Sequence, residues 1–137
     1  MLPMSKIKEP AILEHLERLL EFVSGCAKEK GFTSKRIKEI ELATEEALVN
    51  IFNYAYAEGP GDVEIKCGLD GDDRLVIEIL DTGTPFNPLS LSEPDLTADV
   101  ADREIGGLGV FFIREMVDEV QYRRDAGRNI LTLRASK

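Results

Sequence analysis

The chain is short of cysteine, of positive charge and of long apolar runs, and each shortage removes a class of function. Its two cysteines, Cys26 and Cys67, stand far apart without C-x-x-C spacing. They read as small buried hydrophobes in a reducing compartment, not as a disulfide or a zinc site. Lys and Arg total 17 against 26 Asp and Glu, a net charge of -9. Phosphate-backbone binding is driven by counterion release to clustered cations, so nucleic acid is not an expected partner. No apolar stretch approaches the roughly 20 residues of a membrane-spanning helix. The N-terminus MLPMSKIKEP has neither an apolar leader core nor a cleavage site, and the expected location is the cytoplasm. There is no internal repeat and no low-complexity tract. What remains is one acidic domain of 137 residues, 43% of them hydrophobic. A chain of this length buries roughly 68% of its unfolded surface and needs no disulfide or metal for its core.

Hydrophobic spacing then sets the elements. Residues 11–30 carry Ile12, Leu13, Leu16, Leu19, Leu20 and Val23 at helical intervals, with Pro10 before them and Gly31 after, which predicts an amphipathic helix. Residues 34–56 predict a second helix, with Ser34 as N-cap and the Gly/Pro cluster at 58–62 as its stop. Residues 63–69 alternate Val63, Ile65 and Cys67 against Glu64 and Lys66. The turn Asp70-Gly71-Asp72-Asp73 joins them to the apolar run 75–80 as an antiparallel hairpin. Residues 81–105 are polar and broken by Gly83, Pro85, Pro88 and Pro94; a loop this long is expected to be functional. A third helix is predicted over 106–117, and 120–124 with 130–133 form a last hairpin about Asp125-Ala126-Gly127. Two helices, two strands, a loop, a helix and two strands give an α+β class, helices covering one face of a mainly antiparallel sheet.

Three local patterns carry chemistry. On the second helix Ile37, Ile40, Thr44, Ala47, Leu48, Ile51 and Ala55 form the core stripe. Glu46, Asn50 and Asn53 lie opposite it, flanked by apolar Leu42, Val49 and Ala43, a polar line bordered as a pocket wall would be. A carboxylate and a carboxamide at i and i+4 project side by side, the amide oxygen suited to a hard cation and the carboxylate to a proton. Such a short pattern also occurs on ordinary solvated helix faces. Asp81-Thr82-Gly83 follows the apolar strand directly, so a carboxylate that accepts from an exocyclic amine stands beside a glycine that allows close approach of a flat ligand. The same residues also suit a plain turn. Gly106-Gly107-Leu108-Gly109 before a helix offers unpaired N–H groups to an anion, or merely eases packing.

Taken in order, Glu46-Ala47-x-x-Asn50 with Tyr54-Ala55-Tyr56, then Asp81-x-Gly83 with Pro85-Phe86, then Gly107-Leu108-Gly109 resemble the N, G1 and G2 boxes of the GHKL ATPase superfamily. The run from Gly106 through Ile113, Met116-Val117-Asp118-Glu119-Val120 and the closing Gly127-x-Asn129-Ile130-Leu131-Thr132-Leu133 is similar to the stand-alone serine kinases that act as anti-sigma factors. The resemblance spans residues 37–133. It implies a Bergerat fold, a two-layer sandwich holding ATP and Mg²⁺ between helices and a mainly antiparallel mixed sheet, in a single domain with a lid over about residues 82–106. By position it makes Glu46 the general base toward a substrate serine, Asn50 the Mg²⁺ ligand and Asp81 the adenine-amine acceptor. It places Gly83 against the base and Gly107, Leu108 and Gly109 at the phosphates, with Asn129 near the adenine. Two positions depart from the family pattern: Tyr54 stands where histidine is common, and Asn129 where threonine is usual. The partners implied are a STAS-type antagonist protein and a sigma factor, with a homodimer suggested through the first helix.

Two rival readings share the boxes. Sensor histidine kinases need a phospho-accepting histidine on a helical hairpin ahead of the ATP domain. Here His15, the sole histidine, sits in Glu14-His15-Leu16-Glu17-Arg18 without the expected proline. A binding module that holds a partner without phosphoryl transfer is the other, and the joint retention of Glu46, Asn50 and the glycine loop speaks against it. Arg103, just before the phosphate glycines, is a candidate for phosphate contact or a solvated lid residue.

Overall fold

In a computed structural model, residues 4–56, 59–90 and 113–137 are described. The order of elements is β1 (Ser5–Pro10), a 3-10 turn (Leu13–His15), α1 (Leu16–Glu29), α2 (Ser34–Tyr54), β2 (Asp62–Leu69), β3 (Leu75–Asp81), a 3-10 turn (Pro88–Ser90), β4 (Glu119–Asp125) and β5 (Arg128–Ala135). Among the described residues the strands form one sheet in the order β1-β2-β3-β5-β4, and all four pairings are antiparallel, so the sheet is antiparallel there and not mixed. Period-2 alternation sends Ile65, Cys67, Ile77, Ile79, Leu131 and Leu133 to one face, where they share a buried core with Leu19 and Val23 of α1 and Ile40, Ala47 and Leu48 of α2. The α+β sandwich with its helices on one side of the sheet is therefore as expected.

The starts of both helices differ from the sequence reading. The first helix begins at Leu16, not Ala11, because Ser5–Pro10 pairs with β2 from Ser5 opposite Cys67 to Pro10 opposite Asp62. Pro10 ends a strand instead of opening a helix, and the Ala11 N–H donates to Gly61 O at 2.8 Å. His15 lies in the 3-10 turn, its Nδ1 3.2 Å from Glu9 of β1. The cap of α2 is Thr33, whose Oγ1 accepts from Arg36 N at 3.2 Å; Ser34 is already the first helical residue. Of the expected third helix, residues 113–116 are helical and 106–112 lie outside the described residues. Arg36 then ties the start of α2 to the far end of the chain, donating to Met116 O at 2.6 Å, Ser136 O at 2.8 Å and Asp118 Oδ2 at 2.9 Å. Cys26 and Cys67 are free and buried in the core.

Candidate active site

The register of the sheet builds the site. Asp81, the last residue of β3, stands opposite Asn129 of β5, which stands opposite Arg124 of β4. One row thus carries three polar side chains toward the helix layer, at the end of the sheet where apolar residues give out. In the next row Ile79, Leu131 and Tyr122 are partners. Asp81 and Asn129 are both 5% exposed, so their polar atoms need partners within the protein. Asp81 Oδ1 accepts from Gly83 N at 2.9 Å and from Asn129 Nδ2 at 2.9 Å. The same Nδ2 donates to Thr84 O at 2.8 Å. Asn129 Oδ1 accepts from Tyr122 OH at 2.6 Å, Arg124 at 3.2 Å and Phe86 N at 3.3 Å. Both amide donors and the amide oxygen of Asn129 are committed to the protein, and Asp81 Oδ2 is left without a donor among the described residues.

Above this row lies the C-terminal half of α2. Ala47, Asn50 and Ile51 face Ile79, Asp81 and Leu131 across a cleft that Phe86 and Pro88 help to line, with a cavity volume of about 30 Å³. That is space for one or two waters. Phe86 stacks on Tyr54 with ring centroids 5.4 Å apart, the packing role expected for Tyr54 at the family's histidine position. Asn50 is 4% exposed and its Nδ2 is buried with no hydrogen-bond partner. A buried amide left unsatisfied costs about 1–3 kcal/mol unless something else meets it, and here it faces the cleft opposite Asp81. Glu46 is one helical turn earlier, half-buried and outside the lining of the cleft. Burial, and secondarily the Glu45 carboxylate, pushes its pKa above the ordinary carboxylate value.

Asp81, Asn129 and Asn50 are therefore brought together, with Glu46 adjacent on the same helix. The fold itself requires glycine at position 83: a Cβ there would lie 2.2 Å from Ala55 O and 2.6 Å from Ala55 C. Thr84 N donates to that same Ala55 O at 2.9 Å, so the turn after β3 is pressed against the end of α2. Gly107, Leu108, Gly109 and Arg103, and most of the expected lid, fall outside the described residues. Tyr122 and Arg124 were not singled out from sequence. The signal for them is the two-residue turn at Ala126-Gly127, which pairs Asp125 with Arg128 and so fixes Arg124 opposite Asn129 and Tyr122 opposite Leu131.

Among the described residues no group of three or more His, Cys, Asp or Glu side chains is placed to hold a metal by itself, and no helix is long and apolar enough to cross a membrane. Mg²⁺ is usually bound through one or two protein ligands plus substrate phosphates. Asn50 is the carboxamide at the cleft that could supply such a ligand; the atom left unpaired is its Nδ2, a donor, so its oxygen would serve a cation only with the amide turned end for end.

Comparison with known proteins agrees with this fold. Residues 10–135 match the histidine kinase-like ATPase domain family. Serine-protein kinase RsbW of Bacillus mycoides is 31% identical over 130 residues, 92% of this chain and 81% of the relative. The RsbW of Bacillus cereus strain G9842 is 32% identical over the same shares. Among solved structures, the RsbU and RsbW domains of a Mycobacterium tuberculosis protein superpose with a TM-score of 0.68 at 18% identity, covering 98% of this chain and 32% of that one. A blue-light activated histidine kinase domain from Erythrobacter litoralis gives a TM-score of 0.56 at 16% identity over 98% of this chain and 68% of its own. The chain belongs to the histidine kinase-like ATPase family, in the branch of the serine-protein kinases.

Proposed function

We propose that this kinase moves the γ-phosphoryl group of ATP, with Mg²⁺, to a serine on a small STAS-type antagonist protein, and that it acts in the cytoplasm as an anti-sigma regulator that exchanges this partner for a sigma factor. The observation that carries the nucleotide reading is the Asp81 carboxylate: buried, fixed through one oxygen by Gly83 and Asn129, and at the other without a donor among the described residues. Such a carboxylate oxygen beside an apolar cleft suits the exocyclic amine of adenine. Ala47, Ile79 and Leu131 supply the apolar walls. Asn50 would offer its amide oxygen to Mg²⁺, which would offset the charge of the phosphates. Glu46, on the same helix face and raised in pKa, receives the proton of the attacking serine hydroxyl.

An ATP titration by calorimetry, with and without Mg²⁺, on the parent and on Asp81→Ala tests the site. A hydrogen bond to a charged group contributes about 1.5–3 kcal/mol, so the variant is expected to lose roughly ten- to a hundredfold in affinity. Equal affinity of parent and variant would remove Asp81 from base recognition. No binding by the parent would sink the nucleotide reading itself.

A further inference from the structure

We infer that Tyr122 and Arg124 of β4 are positioning residues for nucleobase recognition: acting through Asn129, they hold the Asp81 carboxylate so that one oxygen stays available to the exocyclic amine of the base. The inference rests on the nucleotide reading above and extends it to two residues that need not touch the base.

An asparagine side chain can lie either way round, with oxygen and nitrogen exchanged by a half-turn. If the oxygen of Asn129 faced Asp81 and Thr84 O, it would set an acceptor against a carboxylate and a carbonyl. Three donors on the other side decide the matter: Tyr122 OH at 2.6 Å, Arg124 at 3.2 Å and Phe86 N at 3.3 Å all converge on Oδ1. Tyr122 makes the shortest of the three, and Arg124 brings the only formal charge. With the oxygen held there, the two N–H donors point to Asp81 Oδ1 and Thr84 O. Arg124 also donates to Gly83 O at 2.8 Å, on the residue whose own N–H is the second donor to Asp81 Oδ1. Both hydrogen bonds on Asp81 are thus backed by β4, one through Asn129 and one through the Gly83 turn.

The strand register explains why β4 can do this. Arg124, Asn129 and Asp81 lie in one row across three neighbouring strands, and Tyr122 is the diagonal neighbour of Asn129 one pair away. The device reads only one feature of the ligand. It orients the acceptor for the base amine and makes no demand on ribose or phosphate.

That selectivity supplies the test. Tyr122→Phe removes one hydroxyl without changing the ring, and Arg124→Gln removes the charge while keeping an amide donor. Each is titrated with ATP and with purine riboside triphosphate, which lacks the exocyclic amine, alongside the parent. The parent is expected to favour ATP; each variant is expected to lose roughly three- to tenfold in ATP affinity and to bind the amine-free nucleotide as the parent does. A merely structural role would weaken both nucleotides equally, and that result, or unchanged ATP affinity in both variants, overturns the proposal. A parent that binds neither nucleotide defeats the underlying site reading instead, so the two failures are distinct. A parent that binds both nucleotides equally also overturns the inference, since the amine would then not be read.

Discussion

Glu46 and Asn50 show how two residues four apart on one helix acquire different environments. Asn50 is enclosed by the cleft, while Glu46 is only half-buried, and burial with Glu45 nearby makes its charged form less favourable than in the unfolded chain. A raised pKa means that the folded protein binds the proton more tightly. The charge therefore costs stability at neutral pH, and the cost is relieved as pH falls through the folded-state value, above the ordinary 4.5. Glu46→Gln is accordingly expected to melt no lower than the parent and to retain ATP binding, while phosphate transfer to a serine substrate disappears. Radiolabelled phosphate transfer measured beside a thermal melt checks both halves; transfer at the parental rate would take Glu46 out of the proton-accepting role. In the parent, transfer should decline as pH is lowered through the raised pKa, since only the carboxylate accepts a proton.

At the scale of elements, the site depends on how closely the turn after β3 meets the end of α2. Gly83→Ala would drive a Cβ into the Ala55 carbonyl, a backbone atom that cannot rotate away. The expected cost is about 1–3 kcal/mol or more, read as a melting temperature lower by several degrees, with loss of ATP affinity as Asp81 loses the Gly83 N–H. A melt equal to that of the parent would show that the turn can shift without cost. Residues 63–69, 75–80 and the last hairpin are legible as strands because their alternation and turn residues are local signals. The acidic residue at the end of β3 and the i, i+4 pair on α2 are legible for the same reason. β1 is not: Ile7 is its one core-directed aliphatic side chain, and what makes it a strand is a partner far along the chain. The network around Asn129 is likewise tertiary, because sequence gives the residue type while the β4–β5 register decides which side chains meet its amide.

Across the whole molecule, ion pairs and caps close the structure at points distant from the cleft. Asp118 receives Ser136 through N–H and hydroxyl and Arg36 through its guanidinium, and these hold its pKa below the ordinary 3.8, the backbone donor foremost. Asp70 is lowered from 3.8 mainly by the Arg74 N–H, with the Asp72 N–H and the Arg74 side chain adding to it. A depressed carboxylate pKa contributes stability that is fully present above the unfolded value and is lost as pH falls through the folded one. Acid unfolding should therefore steepen below about pH 4, and Asp118→Asn should flatten the pH dependence of stability there by removing one such group. Urea melts between pH 2 and 6 check this; identical slopes for parent and variant would assign the acid sensitivity elsewhere.

The strand order has a kinetic meaning too. Two of the four ladders, β2 with β3 and β4 with β5, are hairpins closed by short turns, and such units form in microseconds. The other two each close a long loop, one around both helices and one around everything between Asp81 and Arg128. Their closure entropy must be met before the pairing contributes, which makes them the slow events of folding. Asp81 and Asn129 face each other across the second of these seams. On refolding, nucleotide recognition should thus return with the last closures, after most of the backbone signal has already recovered.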